Sequence, residues 1–159
     1  MKQMQQIQET KITEPRVVVA LAVYHPDPVW LEKQLQSLAG QSYTNFQVLV
    51  WLDDPEDREG VTKLLISCLP ADSFAIAGAE HLGVTGAFEA LTRAAAGDYI
   101  AYCDQDDIWE KDKLSIMTAA LQKQPDLSAC HVNAVWIDEQ DQISDREFYP
   151  EQIEILQDS

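Results

Sequence analysis

Two uninterrupted apolar runs constrain the fold of this chain more than any other feature. Residues 16–23 read RVVVALAV and residues 46–52 read FQVLVWL. Neither run alternates apolar with polar side chains, so each is typical of a strand that is covered on both faces. A helical pattern follows each run. Strands that alternate with helices predict an α/β domain with a mostly parallel central sheet, right-handed crossovers and helices on both faces.

Local signals place the remaining elements. Asp27 can cap a helix whose first residue is Pro28, and Gly40 can end that helix. A second helix is expected over residues 56–69, and a flexible glycine-bearing loop at residues 80–86 leads into a third over residues 87–96. The other expected elements are strands at residues 73–77, 99–103 and 127–137, a helix at residues 110–124 and a short helix after Pro150.

Polar side chains follow three of the expected strands at the point where each ends. They are Tyr24 and His25 after the first, Asp53 and Asp54 after the second, and Asp104 and Asp106 after the fourth. Ligands of open α/β sheets bind outside the carboxyl ends of the strands, so these groups are expected at one edge. Asp104 and Asp106 are two residues apart, so in an extended segment their carboxylates can converge on one hard cation. A solvated acidic turn is the alternative, and the alignment of three polar strand ends favours a site.

The charge balance restricts the ligands. The chain has 27 acidic and 11 basic residues, a net charge of −16 at pH 7. Such a surface repels a polyphosphate backbone, so no nucleic acid partner is expected, and a phosphate-bearing ligand is expected only with a divalent metal between.

Cysteine usage and hydropathy indicate a compartment. Cys68, Cys103 and Cys130 lie far apart in apolar segments without CxxC spacing, which is typical of reduced core residues. No signal peptide opens the chain and no apolar run reaches membrane-spanning length. The sequence therefore predicts a cytoplasmic protein without a membrane span, either free or held peripheral to the inner face of the membrane by a partner.

Several motifs in combination resemble a known family. QSYTNF at residues 41–46 precedes the second strand, GDYI at residues 97–100 opens the fourth, and DQDDIW at residues 104–109 follows it, with DKL at residues 112–114. In this order they are similar to the N-terminal, nucleotide-sugar-binding part of the inverting family 2 glycosyltransferases. The likeness is to bacterial members that build polysaccharides, including rhamnosyltransferase-like ones. The resemblance covers residues 17–144 and implies a nucleotide-diphospho-sugar transferase fold of the glycosyltransferase A type, which is Rossmann-like.

The resemblance also implies roles for matching positions. Asp104 and Asp106 match the family's DxD element, which implies that they hold Mg2+ or Mn2+ on the diphosphate of the donor. Asp53 matches an acidic position that faces the base or ribose, with a helix cap or turn as its structural alternative. The donor-binding positions implied in this way are Tyr24, His25, Asp53, Asp54, Gly83, Gly86, Asp98, Asp104 and Gln105.

The function implied is transfer of a sugar from a nucleotide-diphospho-sugar to an acceptor hydroxyl with inversion, in cell-surface polysaccharide biosynthesis. The acceptor expected is a saccharide or a lipid-linked saccharide. The family's acceptor wall and general base belong to a further half, so the chain is expected to be truncated before it. Nothing identifies Glu147, Glu151 or Glu154 as that base. A homodimer or a partner chain is left open.

The domain organisation predicted from composition has three parts. Residues 1–15 form a flexible Gln-rich leader, residues 16–144 the nucleotide-sugar-binding domain, and residues 145–159 an acidic tail or the start of the acceptor half.

Three other classes stay open at this stage. A nucleotide-sugar-binding module without turnover agrees with the missing acceptor half. A receiver-like signalling domain also places acidic residues at strand ends, but it needs a late lysine at a strand end, and no lysine follows Lys123. The third class is a metal-dependent phosphatase, and only the carboxylates support that interpretation.

Overall fold

The computed structural model describes residues 14–147, with side chains described as far as Ser144. Its elements are, in chain order, β1 (Val17–Val23), α1 (Pro28–Ala39), β2 (Phe46–Leu52), a 3-10 turn (Pro55–Asp57), α2 (Arg58–Cys68), β3 (Phe74–Ala79), α3 (Gly83–Ala94), β4 (Tyr99–Cys103), α4 (Lys113–Lys123), β5 (Val135–Ile137) and β6 (Ile143–Glu147). Most of the leader and the helix expected after Pro150 lie outside the described residues.

The chain divides into two compact units, and the first extends to Thr118. It is built on a parallel four-stranded sheet with the strand order β3-β2-β1-β4. Val23 pairs with Leu52 and Leu21 pairs with Cys103, so β1, β2 and β4 end at nearly the same level. The predicted α/β fold with a parallel sheet is confirmed, and its order differs from the 2-1-3-4-5 order of flavodoxin-like receivers.

The sheet carries apolar side chains on both faces, as the unbroken runs predict. The odd-numbered side chains of β1 belong to one buried cluster with Leu31 and Leu35 of α1 and Leu65 of α2. The even-numbered Val18 and Ala20 are also buried but lie outside that cluster. On their side α3 covers the sheet by packing against β1 and β2.

Helix α1 forms with the predicted boundaries because its signals are local. The Asp27 carboxylate accepts hydrogen bonds from the backbone N–H groups of Val29 and Trp30. Pro28 occupies the first position, where its missing N–H costs nothing, and Gly40 ends the helix.

Helix α3 begins four residues earlier than predicted. Gly83 and Gly86 lie in its first turn and not in a loop, so the expectation of a glycine-bearing loop up to residue 86 is wrong. The reason is a tertiary contact: the carboxylate of Asp53, thirty residues upstream, accepts the N–H groups of Leu82 and Gly83 at distances of 2.6 and 3.1 Å. A helix start that is capped from another element leaves no signal in its own sequence.

The fifth strand of the predicted sheet does not form. In the second unit, which begins at Ala119, only Val135–Ile137 of residues 127–137 is a strand, and it pairs antiparallel with β6. Val132, Val135 and Trp136 are exposed. Strand formation depends on a neighbouring edge and a buried face more than on intrinsic preference. Of this run only residues 135–137 gain an edge, that of β6, and Val135 and Trp136 gain no buried face.

Two further expectations concern the cysteines and the membrane. Cys68, Cys103 and Cys130 take part in no disulfide among the described residues. Cys103 is buried as expected of a core residue, whereas Cys68 and Cys130 are only partly buried. Between residues 14 and 147, no helix combines the length and the apolar character needed to cross a membrane.

Candidate functional site

The carboxyl ends of β1, β2 and β4 bring together the polar groups that the sequence predicted at one edge. Tyr24, Asp53 and Asp104 each come directly after one of these strands. The backbone N–H of Asp53 donates to the carbonyl of Val23 at 2.7 Å, which continues the β1–β2 ladder to the edge itself. The three strand ends therefore form one surface.

Gln105 joins the ends of β1 and β4 through its side chain. Its Oε1 accepts the backbone N–H of Tyr24 at 2.8 Å, and its Nε2 donates to the carbonyl of the same residue at 3.0 Å. A primary amide offers the donor and acceptor of a peptide group, so this side chain extends the pairing beyond the last main-chain pair, Leu21 with Cys103.

His25 is held between two carboxylates from the segment after β2. Its Nε2 lies 3.3 Å from Oδ2 of Asp54, and its Nδ1 lies 3.9 Å from Oδ2 of Asp57. The same Asp57 oxygen accepts the backbone N–H of His25 at 2.8 Å. His25 has a φ of 43°, a left-handed conformation that few residues other than glycine adopt, so these bonds fix a strained turn.

Asp53 is the one acidic residue of the edge that is almost fully buried, with 4% of its surface exposed. Asp53 caps α3, and its Oδ2 also lies 3.1 Å from Nδ1 of His81. The ring of His81 in turn lies 5.4 Å from the ring of Tyr24, which also contacts the His25 ring at 4.1 Å. Asp53 thus caps a helix that is distant in sequence, whereas the local cap after β2 is Asp54, whose carboxylate accepts the N–H of Glu56 at 2.8 Å. The contact of Asp53 with a nucleotide stays a prediction.

Negative charge accumulates after β4. Partial burial, and secondly the charge of Asp106, raise the pKa of Asp104 above its usual value. Burial also raises the pKa of Asp107, helped by Asp104 and opposed by the Lys113 ammonium. Lys113 lies 3.9 Å from the centre of the Trp109 ring, and burial lowers its pKa. Among the described residues, no basic side chain lies within ion-pair distance of Asp104 or Asp106.

These carboxylates fit a divalent cation in chemistry and in charge. Carboxylate oxygens are preferred ligands of Mg2+ and Mn2+. A cation would offset both the burial of the Asp104 charge, which is the main cause of its raised pKa, and the repulsion from Asp106. Within residues 14–147, no group of three or more His, Cys, Asp and Glu could hold a metal by itself. A metal at Asp104 and Asp106 would need further oxygen ligands from a bound molecule or from water.

Two predicted residues differ in position or surroundings from the expectation. Asp98 precedes β4, at the opposite edge of the sheet, where its carboxylate accepts the backbone N–H of Arg16 at 2.7 Å. The structure does not bring Asp98 to the edge that carries Asp104. Gly86 faces its own helix, since a Cβ there would lie 2.7 Å from Cβ of Leu82. Gly83 has a φ of 72° and open space around it, so it supplies the left-handed turn at the helix start.

Sequence reasoning missed three residues of this edge. His81 and Asp57 contact predicted site residues, and Lys113 lies beside the acidic group. His81 lies within residues 80–86, the glycine-bearing segment that supplied the predicted Gly83 and Gly86, so its imidazole was within reach of the sequence. No comparable local signal marks Asp57 or Lys113, which arrive from separate elements.

A family model for glycosyl transferase family 2 matches residues 19–158, nearly the whole chain. The chain belongs to glycosyl transferase family 2. The family expected from the motifs is thereby confirmed, and the match includes all three strand ends that form the edge.

Two curated relatives match most of this chain, and one of them is named a glycosyltransferase. An uncharacterized glycosyltransferase of Methanocaldococcus jannaschii is 24% identical over 143 residues, which is 89% of this chain and 49% of the relative. An uncharacterized protein of Sinorhizobium fredii is 28% identical over 139 residues, which is 86% of this chain and 15% of the relative. The chain thus spans half or less of the length of these two relatives.

Solved structures show the same fold. The crystal structure of S. aureus TarS in complex with UDP-GlcNAc matches with a TM-score of 0.59 and 18% identity, over 69% of this chain and 32% of that one. The TarS complex with UDP matches with a TM-score of 0.58 and 19% identity, over 69% and 33%. These matches confirm the predicted fold, an α/β domain with a parallel central sheet.

Proposed function

We propose that this chain is the donor-binding part of an inverting glycosyltransferase that takes a nucleotide-diphospho-sugar with Mg2+ or Mn2+. The reaction proposed is transfer of the sugar to a hydroxyl of a saccharide or lipid-linked saccharide, in the synthesis of a cell-surface polysaccharide on the cytoplasmic side. The observation that carries the proposal is the meeting of Tyr24, Asp53 and the Asp104–Asp106 pair at one sheet edge in a family 2 domain.

The aromatic and acidic ends of this edge suit the two ends of such a donor. The Tyr24 and His81 rings, 5.4 Å apart, offer apolar surface for a nucleobase. Asp104 and Asp106 would hold the metal, which neutralises the diphosphate and stabilises it as the leaving group. Without a metal, a net charge of −16 opposes binding of a diphosphate. The UDP complexes of TarS, a protein with the same fold, are consistent with this arrangement.

The test is a calorimetric titration of the 159-residue chain with UDP, GDP and dTDP, each with and without Mn2+. The variant Asp104→Ala/Asp106→Ala removes the proposed metal ligands. Its matched control, Glu32→Ala/Asp72→Ala, removes two exposed carboxylates and changes the net charge equally. We expect Mn2+-dependent binding of one diphosphate, retained in the control and reduced at least tenfold in the variant, since two charge-assisted ligands are lost.

The outcomes separate the parts of the proposal. Binding that is equal with and without Mn2+, or equal in both double variants, would exclude the metal role of the acidic pair. A folded chain that binds none of the three diphosphates would contradict the donor-binding function itself. Turnover is measured separately, with the corresponding nucleotide sugars and a saccharide acceptor.

A further inference from the structure

The side chain between the two proposed metal ligands points away from them, toward β1. Gln105 lies between Asp104 and Asp106, and its amide makes both of its described hydrogen bonds with the backbone of Tyr24. These bonds join residues 81 positions apart in the sequence. They leave Gln105 engaged by the protein and not directed at a ligand.

The position of this contact gives it an influence on the acidic pair. Main-chain pairing between β1 and β4 ends at Leu21 and Cys103, one residue before Asp104. Beyond that point the described hydrogen bonds that hold the Asp104–Asp106 segment against β1 are those of Gln105. Because Asp104 and Asp106 are its chain neighbours, the two bonds restrict the directions that both carboxylates can take.

The same contact reaches the aromatic end of the edge. The ring of Tyr24 contacts the rings of His25 and His81, and His81 lies against Asp53. A continuous series of contacts therefore runs from Asp53 through His81 and Tyr24 to Gln105 and the acidic pair. The links from Asp53 to Gln105 are contacts between described residues, and the last link, to Asp104 and Asp106, is the chain itself.

We propose that Gln105 is a positioning residue that aligns Asp104 and Asp106 for the metal–diphosphate by fixing them to the backbone of Tyr24. This inference rests on the proposed function. It assigns Gln105 an action through its neighbours in place of the direct donor contact that the family resemblance implied.

The experiment compares Gln105→Met, which keeps the length of the side chain and removes both hydrogen bonds, with the intact chain. Gln105→Asn, whose amide is one methylene too short to span both groups, is the second variant. Asn45→Leu is the matched control, because the Asn45 side chain also binds a backbone carbonyl, that of Glu14, at the opposite edge of the sheet. Each protein is titrated with Mn2+ alone, followed by the electron paramagnetic resonance signal of free Mn2+, and with UDP, GDP and dTDP with and without Mn2+.

We expect both Gln105 variants to bind Mn2+ and the Mn2+-dependent diphosphate about five- to twentyfold more weakly, since two hydrogen bonds no longer hold the ligands. The affinity for the diphosphate without metal should change less than about threefold. The Asn45 control should match the intact chain in its affinity for Mn2+ and in its affinity for the diphosphate with and without metal. If Gln105 had only a structural role, its substitution would lower the melting temperature and would weaken Mn2+-dependent and metal-free diphosphate binding to the same extent.

Three results would overturn the inference. They are unchanged Mn2+ affinity in a folded Gln105 variant, equal losses with and without metal, and an equal loss in the Asn45 control. If the intact chain binds no diphosphate at all, the proposed function fails first and the inference fails with it. If the intact chain binds with Mn2+ and the Gln105 variants do so equally well, the inference alone is wrong.

Discussion

At the scale of single residues, Asp104 is a carboxylate placed where the fold gains little from its charge. Partial burial and the charge of Asp106 raise the pKa of Asp104, so the folded chain favours the protonated form more than the unfolded chain does. Any stabilising contribution is complete below the ordinary pKa of 3.8 and is lost as the pH rises through the raised value. At neutral pH the ionised carboxylate therefore costs stability, in return for a group that can bind a cation.

Asp104→Asn is expected to raise the melting temperature at pH 7, because it removes a partly desolvated charge beside Asp106. The rise should be only about 1–2 °C, because much of the side chain is open to solvent, which screens the effect. The gain should shrink as the pH falls and vanish below about 3.8, where wild-type Asp104 is protonated as well. Scanning calorimetry across this pH range checks it, with Asp72→Asn, an exposed turn residue, as the control. A lower melting temperature for Asp104→Asn at pH 7 would show that Asp104 makes a stabilising contact in its charged form.

At the scale of elements, the predictability of each helix and strand follows from where its signals lie. Helix α1 carries its own cap, Asp27, and its own end, Gly40, so its boundaries could be predicted. Helix α3 is capped by Asp53 of another element, so its start could not. The run at residues 127–137 has strand-forming residues, but its fate depends on neighbours that no local pattern specifies. Asp98 could have been placed correctly, because a residue that precedes a strand cannot lie at its carboxyl end.

The contact between β2 and β3 yields a prediction at this scale. Gly78 pairs with Trp51, and a Cβ on Gly78 would lie 2.3 Å from the Trp51 ring. The ring is held in place because its Nε1 donates to the carbonyl of Glu80 at 3.0 Å. Gly78→Ala is expected to lower the free energy of unfolding by about 1–3 kcal/mol through overpacking.

Gly60→Ala provides the opposite case for the same type of substitution. Gly60 lies on the exposed face of α2 with nothing within 4 Å of a Cβ. Alanine there should raise the free energy of unfolding by about 0.5–1 kcal/mol, since it costs less conformational entropy in a helix than glycine. Urea denaturation measures both variants, and equal effects of the two would contradict the packing explanation for Gly78.

At the scale of the whole molecule, charge governs how a diphosphate approaches. The net charge of −16 produces a repulsive field that salt screens over about 8–10 Å at physiological ionic strength. A divalent cation at the acidic edge would neutralise the charge of Asp104 and Asp106, which is why the proposed donor is one that brings a metal.

Salt should therefore change the affinity for the diphosphate and the affinity for Mn2+ in opposite directions. We expect metal-free affinity for the diphosphate to rise about two- to fivefold between 20 and 300 mM NaCl, as screening reduces the repulsion. Affinity for Mn2+ alone should fall over the same range, because the same field attracts it. Calorimetric titrations at several salt concentrations check both, and metal-free binding that weakens with salt would show that local basic groups dominate the site.

The sequence by itself determined the α/β class, the parallel strands, the family and the acidic residues after β4, since all of these depend on runs and motifs that are contiguous in the chain. Only the tertiary structure decided that Asp53 caps α3, that His81 and Asp57 join the edge, that Asp98 lies at the other edge, and that Gln105 binds Tyr24. These contacts join residues from separate elements. They arise because parallel strands begin at one edge of the sheet and end at the other, so that side chains distant in sequence meet there and several of them satisfy backbone groups of another element.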